Sequence, residues 1–323
     1  MNRPAGLFCA VALVGGAWAL APPPVQGQGL QRQADPEAVM VDELVVRARA
    51  PGPAWWRVSN GSSTVWILGV PASLPKGTAW DDGPLRARLQ LAKALILPGQ
   101  VRLGPFQALF FFLKHRKALR SSTPLEQSLP GPLAQRFATV RQGLGQDAKK
   151  YASWKPAVAG VILGADFRRA ARVETDEPEH HIRALAAKAH VPAQPAARYD
   201  GGEVLNAVID MSDQAQIDCL GDAVAEVEAG KDRVYAAARG WSGGDVREAL
   251  TLERGYDRCF DALPSVSALL RRGQADIAGA ITQALAKPGD AIAMVELRAL
   301  LARGGVLDRL RAQGYAVSAP DRT

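Results

Sequence analysis

The sequence is short of the groups that carry out chemistry. It has four histidines in 323 residues, and its strongest strand-to-loop junction, V-W-I-L-G-V-P-A-S-L-P-K-G at 65–77, holds no side chain able to bind a metal or move a proton. In α/β proteins such junctions are where active sites usually sit. No G-x-S-x-G is present, so the nucleophile elbow of α/β-hydrolases is excluded. No Gly-rich phosphate loop follows a strand. Charge of one sign is not concentrated either: 39 Lys and Arg stand against 32 Asp and Glu, a net +7 without a run of like charges. Nucleic-acid binding wants a basic stripe with interleaved aromatics and is not expected. Beyond the N-terminus no apolar run reaches the length of a membrane span, and no internal repeat of 20–50 residues occurs.

What is present begins with M-N-R-P-A-G-L-F-C-A-V-A-L-V-G-G-A-W-A-L-A. One positive charge, an apolar stretch from Ala5 to Ala21 and small residues at its end form the pattern of a secretory signal peptide, taken as residues 1–27. A retained anchor is the competing reading. Export is expected, with the periplasm as the compartment. Removing 1–27 leaves Cys219 and Cys259, and an even pair in an exported chain points to a disulfide. Two buried free thiols are the alternative. Residues 28–53 are polar and contain proline, so they read as a linker with one short extended segment at 44–47.

From residue 54 the pattern is that of an α/β domain to about 320. Two β-prone runs flank Ser59-Asn60-Gly61-Ser62-Ser63, a hairpin signal. A helix is expected over 83–93, a short buried strand over 94–98 and a helix from Pro105. Thr123-Pro124-Leu125-Glu126 reads as a capping box. Helical periodicity dominates 132–143, 156–172, 178–190, 203–211, 213–240, 243–254 and 264–286, with a Pro-rich connection at 192–196. Strand 290–296, helix 305–313 and strand 315–319 close the chain. The fold class is therefore α/β: a central mixed sheet from N- and C-terminal strand–helix blocks, with a largely helical middle.

The opening junction and the closing block together carry a resemblance. V-W-I-L-G-V-P-A-S-L-P-K-G-T-A-W resembles the first motif of the TraB/GumN family, related to the Tiki metalloproteases, in which a strand ends in Gly-x-x-His. A-M-V-E-L-R-A-L-L-A-R-G-G-V-L-D-R-L-R-A-Q-G-Y-A-V resembles that family's second Gly-x-x-His block with its closing helix and strand. Y-A-S-W-K-P-A-V-A-G, Q-I-D-C-L, Y-D-R-C-F and A-A-R-G-W-S-G-G-D are similar to GumN-type chains as well. The likeness covers about residues 53–319. It implies two strand-end histidines facing one site, assisted by a carboxylate and an arginine. Carried onto this chain, the first motif keeps Gly69 and puts its histidine on Ala72. The second puts its glycine on Glu296 and its histidine on Ala299, and the acidic position falls on Pro98. Arg271 or Arg272 sits where the family places an arginine. The resemblance thus implies a site emptied of its acting groups, with no metal and no cofactor.

Two other segments hold candidate groups. In E-T-D-E-P-E-H-H-I-R at 174–183, Glu177 and His181 are four apart and could share a helix face as two metal ligands. A third ligand is missing, since His190 is nine residues on, so a solvated helix start is expected. His115 reads as a surface residue. In P-F-Q-A-L-F-F-F-L-K-H-R-K, residues Phe106, Leu109, Phe110 and Leu113 have the spacing of a core-facing stripe. Phe111 and Phe112 lie off it, and the core should need them least. Phe106, Phe110, Phe111 and Phe112 are the candidate binding residues.

The functional expectation is an exported TraB/GumN-like protein without hydrolytic activity that binds a peptide, an envelope protein or an envelope polysaccharide. One alternative is a metal-dependent hydrolase with a rearranged site drawing on Glu296, Arg298 and 177–181. The other is a scaffold held peripherally at a membrane surface by the Phe-rich helix.

Overall fold

A hairpin around Asn60-Gly61 opens the fold. In the computed structural model, β1 (Trp55–Ser59) and β2 (Ser63–Val70) pair antiparallel, Ser59 opposite Thr64. Gly61 supplies the φ of 94° that the turn requires. The Asn60 carboxamide oxygen accepts from the N–H groups of Ser62 and Ser63, the local bonding that makes Asn a turn residue. Asn60 Nδ2 and Ser63 Oγ donate to the carbonyls of Leu285 and Lys287. The turn is thereby fixed to the chain just ahead of the last long strand.

The structure describes residues 40–41, 52–175, 177–251, 258–259 and 263–320. The signal peptide 1–27, the extended segment 44–47 and the last residues of the helix expected at 243–254 lie outside them. Within the expected linker, Met40 pairs with Ala302 and Val41 N–H donates to Leu301 O at 2.9 Å, so this segment touches the domain.

The central sheet is mixed. Its strands are β4 (Ala92–Leu97), β7 (Ala193–Pro195), β9 (Gly289–Glu296) and β10 (Ala316–Ser318) together with the hairpin, in the order β10-β1-β2-β9-β4-β7. β10, β1 and β2 run antiparallel, whereas β2, β9, β4 and β7 are parallel. β9, from the C-terminal block, sits at the centre. Its residues Ala291–Val295 are all buried, the continuous apolar run expected of a strand covered on both faces. Two small sheets lie beside it: β3 (Leu74–Pro75) pairs with β6 (Val173–Glu174), and β5 (Gln100–Arg102) with β8 (Arg198–Asp200).

Helices α1 (Gly83–Leu89), α6 (Glu177–Lys188), α10 (Pro264–Leu285), α11 (Leu297–Leu301) and α12 (Val306–Ala312) contribute to the core around this sheet. In α12, Val306, Leu307 and Leu310 are wholly buried. Gly305 just before it is required by close approach, because a Cβ there would lie 2.5 Å from Ala299 O. The other helices are α2 (Pro105–Leu119), α3 (Leu125–Ser128), α4 (Gly131–Gly143), α5 (Pro156–Ala171), α7 (Gly202–Ile209), α8 (Asp213–Ser242) and α9 (Val246–Ala249). α3, α4, α5 and α8 form a second core containing Phe137, Tyr151, Leu163, Leu220 and both late cysteines. α8 is interrupted at Gly230, whose φ is 79°.

Several local expectations need correction. The helix over 83–93 stops at Leu89, because the strand begins at Ala92 rather than residue 94. Thr123 does not cap a helix: its N–H donates to Ser121 Oγ, and α3 has no side-chain cap. The Pro-rich connection at 192–196 contains β7, where proline is tolerated because the strand is at the sheet edge. The helix expected over 243–254 is the short α9. Asp245 caps it by accepting from Glu248 N–H at 3.0 Å.

The Y-A-S-W-K-P segment is explained by packing. Tyr151 Oη and Lys150 Nζ both donate to Asp166 Oδ2 at 2.5 Å, and Arg169 Nη1 lies 3.1 Å from Oδ1. Burial alone would raise the Asp166 carboxyl. The hydrogen bonds from Lys150 and Tyr151 and the nearby Lys150 and Arg169 charges outweigh it, so its pKa is lowered. Burial and the Asp166 contact push the Tyr151 phenol well above its ordinary range.

Cys219 and Cys259 form a disulfide with Cα atoms 5.2 Å apart, tying α8 to the chain 40 residues later. In the chain-entropy model that loop is worth about 4 kcal/mol. Reduction is expected to lower the melting temperature by roughly 8 °C or more, and a melt with and without reductant checks it. Asp166→Asn should cost about 3 kcal/mol at neutral pH. Because the folded-state pKa of Asp166 is depressed, its contribution is complete above the unfolded value near 4 (about 3.9) and fades as pH falls through the folded one. The stability gap between wild type and Asp166→Asn, measured by denaturant titration, should therefore be widest near pH 7 and close in acid.

Candidate functional site

Three neighbouring parallel strands, β2, β9 and β4, end on the same edge of the sheet. Val70 is in register with Glu296, and Ile96 with Ala293. The positions implied by the resemblance lie at or just past these ends: Ala72 two residues beyond β2, Pro98 immediately after β4, Glu296 closing β9 and Ala299 inside α11. The topology thus brings to one edge segments more than two hundred residues apart. The arginines sit apart from that edge, on exposed positions of α10.

The edge is closely packed. A Cβ on Gly69 would lie 2.5 Å from Leu297 Cδ2 and 2.6 Å from Trp56 Cζ3, so only glycine fits. The Gly69 carbonyl accepts from the indole Nε1–H of buried Trp241, at 2.8 Å. Glu296, where the second motif would have glycine, accepts from Ala299 N–H at 2.8 Å and caps α11. Arg298 Nη2 donates to Leu250 O at 2.6 Å. Ala72 is exposed and lines a cleft of only about 70 Å³, whose walls hold Phe167 and Val234 together with Ser73, Arg168, Glu226 and Arg233.

Pro98 leads into Gly99, against which the Tyr199 ring lies; a Cβ on Gly99 would come within 2.5 Å of that ring. Tyr199 Oη donates to Asp276 Oδ2 at 2.6 Å. Burial, followed by the Asp276 carboxylate, pushes this phenol well above its ordinary range. Arg272 stacks 5.7 Å from the same ring and pairs with Glu203 at 3.0 Å. Arg271 donates to Ser267 Oγ on its own helix.

His181 is paired across 99 residues of sequence, its Nε2 lying 2.8 Å from Asp82 Oδ2. Asp82 is also held by both Arg86 nitrogens at 2.7 and 2.8 Å. The Arg86 hydrogen bonds lower its pKa first, burial opposes them, and the His181 bond adds to the lowering. The Glu177–His181 ligand pair considered from spacing lies outside the described residues, because the Glu177 side chain does; His181 itself is hydrogen-bonded to another element. Trp80 packs edge-on to His181 at 5.5 Å and against Trp241 at 5.3 Å. Trp80, Asp82 and His181 line, with Leu74, Thr78 and Pro178, a cleft of about 230 Å³. Sequence reasoning missed the cluster, whose only local sign was the T-A-W-D-D segment at 78–82. Among the described residues no three His, Cys, Asp or Glu side chains are grouped to hold a metal ion.

The Phe-rich helix faces the opposite way from the sequence expectation. The stripe read as core-facing is solvent-exposed: Phe106 85%, Leu109 57%, Phe110 68% and Leu113 61%, whereas Phe111 is 9% exposed. Phe112 is exposed as expected. Phe111 is held by the Phe112 ring at 5.9 Å and by half-buried His115 at 4.7 Å. The helix thus seats its less apolar side inward, because periodicity locates a stripe but not which side of it meets the domain. Phe110 and Phe111 form a wall of a groove of about 330 Å³ against α7. Gln107, Lys114, His115, Asp200, Glu203 and Asn206 supply its polar atoms, and through Glu203 the groove connects to Arg272 and Tyr199.

A family model described as TraB/PrgY/gumN matches residues 54–319. No curated protein and no solved structure is significantly similar to the chain. Phe111→Ala is expected to cost about 3 kcal/mol, as for a buried aromatic, while Phe112→Ser should stay within about 0.5 kcal/mol. Chemical denaturation of the two single variants measures this difference.

Proposed function

Because the chain belongs to the TraB/PrgY/gumN family, we propose that it is an exported member without hydrolytic activity that acts by binding a peptide segment in the α2–α7 groove. One observation carries the reading. At the edge where the resemblance implies two histidines and a carboxylate, the chain has Ala72, Ala299 and Pro98, and Glu296, which closes β9, caps α11. Neutral imidazole is what binds a divalent metal or moves protons near neutrality; alanine and proline do neither.

The groove supports the binding half. Phe110 and Phe111 give an apolar wall, while Lys114 faces a side carrying Asp200 and Glu203. Groups of both charge signs around an apolar wall suit a peptide with mixed side chains better than a neutral polysaccharide. The alternative of a rearranged hydrolase would draw on groups already engaged: Glu296 with Ala299, Arg298 with Leu250 and His181 with Asp82.

The test combines metal analysis, peptidase assay and peptide retention on the purified protein. Dialysed protein should carry substoichiometric Mn, Co or Zn, should cleave no member of a random heptapeptide library, and should retain some members. Asn206→Trp, which fills the groove, should reduce that retention at least tenfold. Stoichiometric metal with turnover abolished by a chelator would overturn the reading, as would retention unaffected by Asn206→Trp.

A further inference from the structure

The positive charge of the chain is confined to one stretch. Between Gly83 and Leu125 there are eight Lys and Arg and no Asp or Glu, whereas the rest of the chain holds 31 basic against 32 acidic residues. α2 lies inside this stretch. At about 100° per residue, its groove side carries Gln107, Phe110, Phe111, Lys114 and His115. The side turned away from the groove carries Phe106, Leu109, Phe112, Leu113, Arg116 and Lys117. All six of the latter are exposed.

We propose that this outward side of α2 docks on the surface of an anionic lipid bilayer. The four apolar side chains lie on one side of the helix and are each at least half exposed, and exposed apolar residues grouped in this way mark interaction surfaces. They sit in the first two-thirds of the helix, with Arg116 and Lys117 following in its last turn and Lys114 on the flank. Among the described residues, none of these three cations has an ion-pair partner. An apolar face inserted at the headgroup boundary with unpaired cations beside it is the arrangement of an interfacial helix. The charge selects an anionic surface. No helix of the described residues is long and apolar enough to cross a membrane, so α2 lies on the surface. The surface is separate from the groove, and docking on it does not require a peptide in the groove.

Hydrogen–deuterium exchange of the full chain with vesicles resolves α2 from every other segment. Phosphatidylglycerol-containing vesicles should slow exchange of peptides covering 105–119 at least fivefold. Pure phosphatidylcholine should not, and 0.5 M salt should remove most of the effect. The triple variant Phe106→Ser, Leu109→Ser, Leu113→Ser should lose the protection while keeping the wild-type melting temperature. Arg116→Glu with Lys117→Glu should weaken it at least tenfold in lipid concentration. Absence of protection on anionic vesicles, or protection that survives the triple variant, overturns the proposal. Protection that instead rises with protein concentration in the absence of lipid also overturns it, and assigns the face to a second copy of this chain.

Discussion

The hydrogen bond from Trp241 to the Gly69 carbonyl is the point on which the two cores meet. A buried indole N–H must find an acceptor or forfeit its desolvation cost, and the acceptor here is a carbonyl at the end of a sheet strand. α8 runs from the disulfide-bonded core, past the break at Gly230, and delivers Trp241 to the end of β2. Trp80 then packs on Trp241, and His181 on Trp80. The opening loop is thus held by a chain of aromatic contacts anchored on one backbone oxygen. Because Trp56 and Leu297 close on Gly69 from the other sides, any side chain at that position would push the two strand ends apart.

This packing separates the structural part of the family motif from its chemical part. In Gly-x-x-His the glycine permits close approach of neighbouring elements, and the histidine supplies reactivity. Gly69 is still required by its neighbours, while three residues later Ala72 faces only a small cleft. The second block has changed further. There the glycine position is Glu296, and its carboxylate satisfies an N–H at the start of α11, a cap worth about 1 kcal/mol. At this edge Gly69 and Glu296 both complete the fold.

Much of the architecture was legible because local and global signals agree. Asn60-Gly61 specified a hairpin. The apolar run of 290–296 specified a buried strand. Proline at the first positions of α2, α5 and α10 marked helix starts. The placement of the strand-end positions on one edge followed only from the order of motifs, since no local pattern states that β9 inserts between β2 and β4. Three features were not legible. His181 meets Asp82 through tertiary folding, across 99 residues of sequence that no local spacing links. The orientation of α2 depends on which side finds a neighbour, and both sides of that helix are apolar. The basic stretch is spread over 43 residues without two adjacent cations except at Arg116-Lys117, so it escapes a search for charge runs.

The two sides of α2 differ in what they meet. A helix that seats a wide apolar stripe in a core has only a polar face left for solvent. α2 instead commits Phe111 and Leu119 to the domain, with Ala108, His115 and Ala118 half-buried beside them. That is a small anchoring area for fifteen residues, and it leaves Phe106, Leu109, Phe112 and Leu113 without a role in holding the helix in place. In water those side chains gain nothing from exposure, so their retention is intelligible through what covers them. An interfacial contact at the outward side would add the missing burial without disturbing the groove side, because the two sets point in different directions from one rigid cylinder. A ligand in the groove and a bilayer against the outer face would both restrain α2. Ordering by one lowers the entropy still to be lost on binding the other, which couples the two sites favourably.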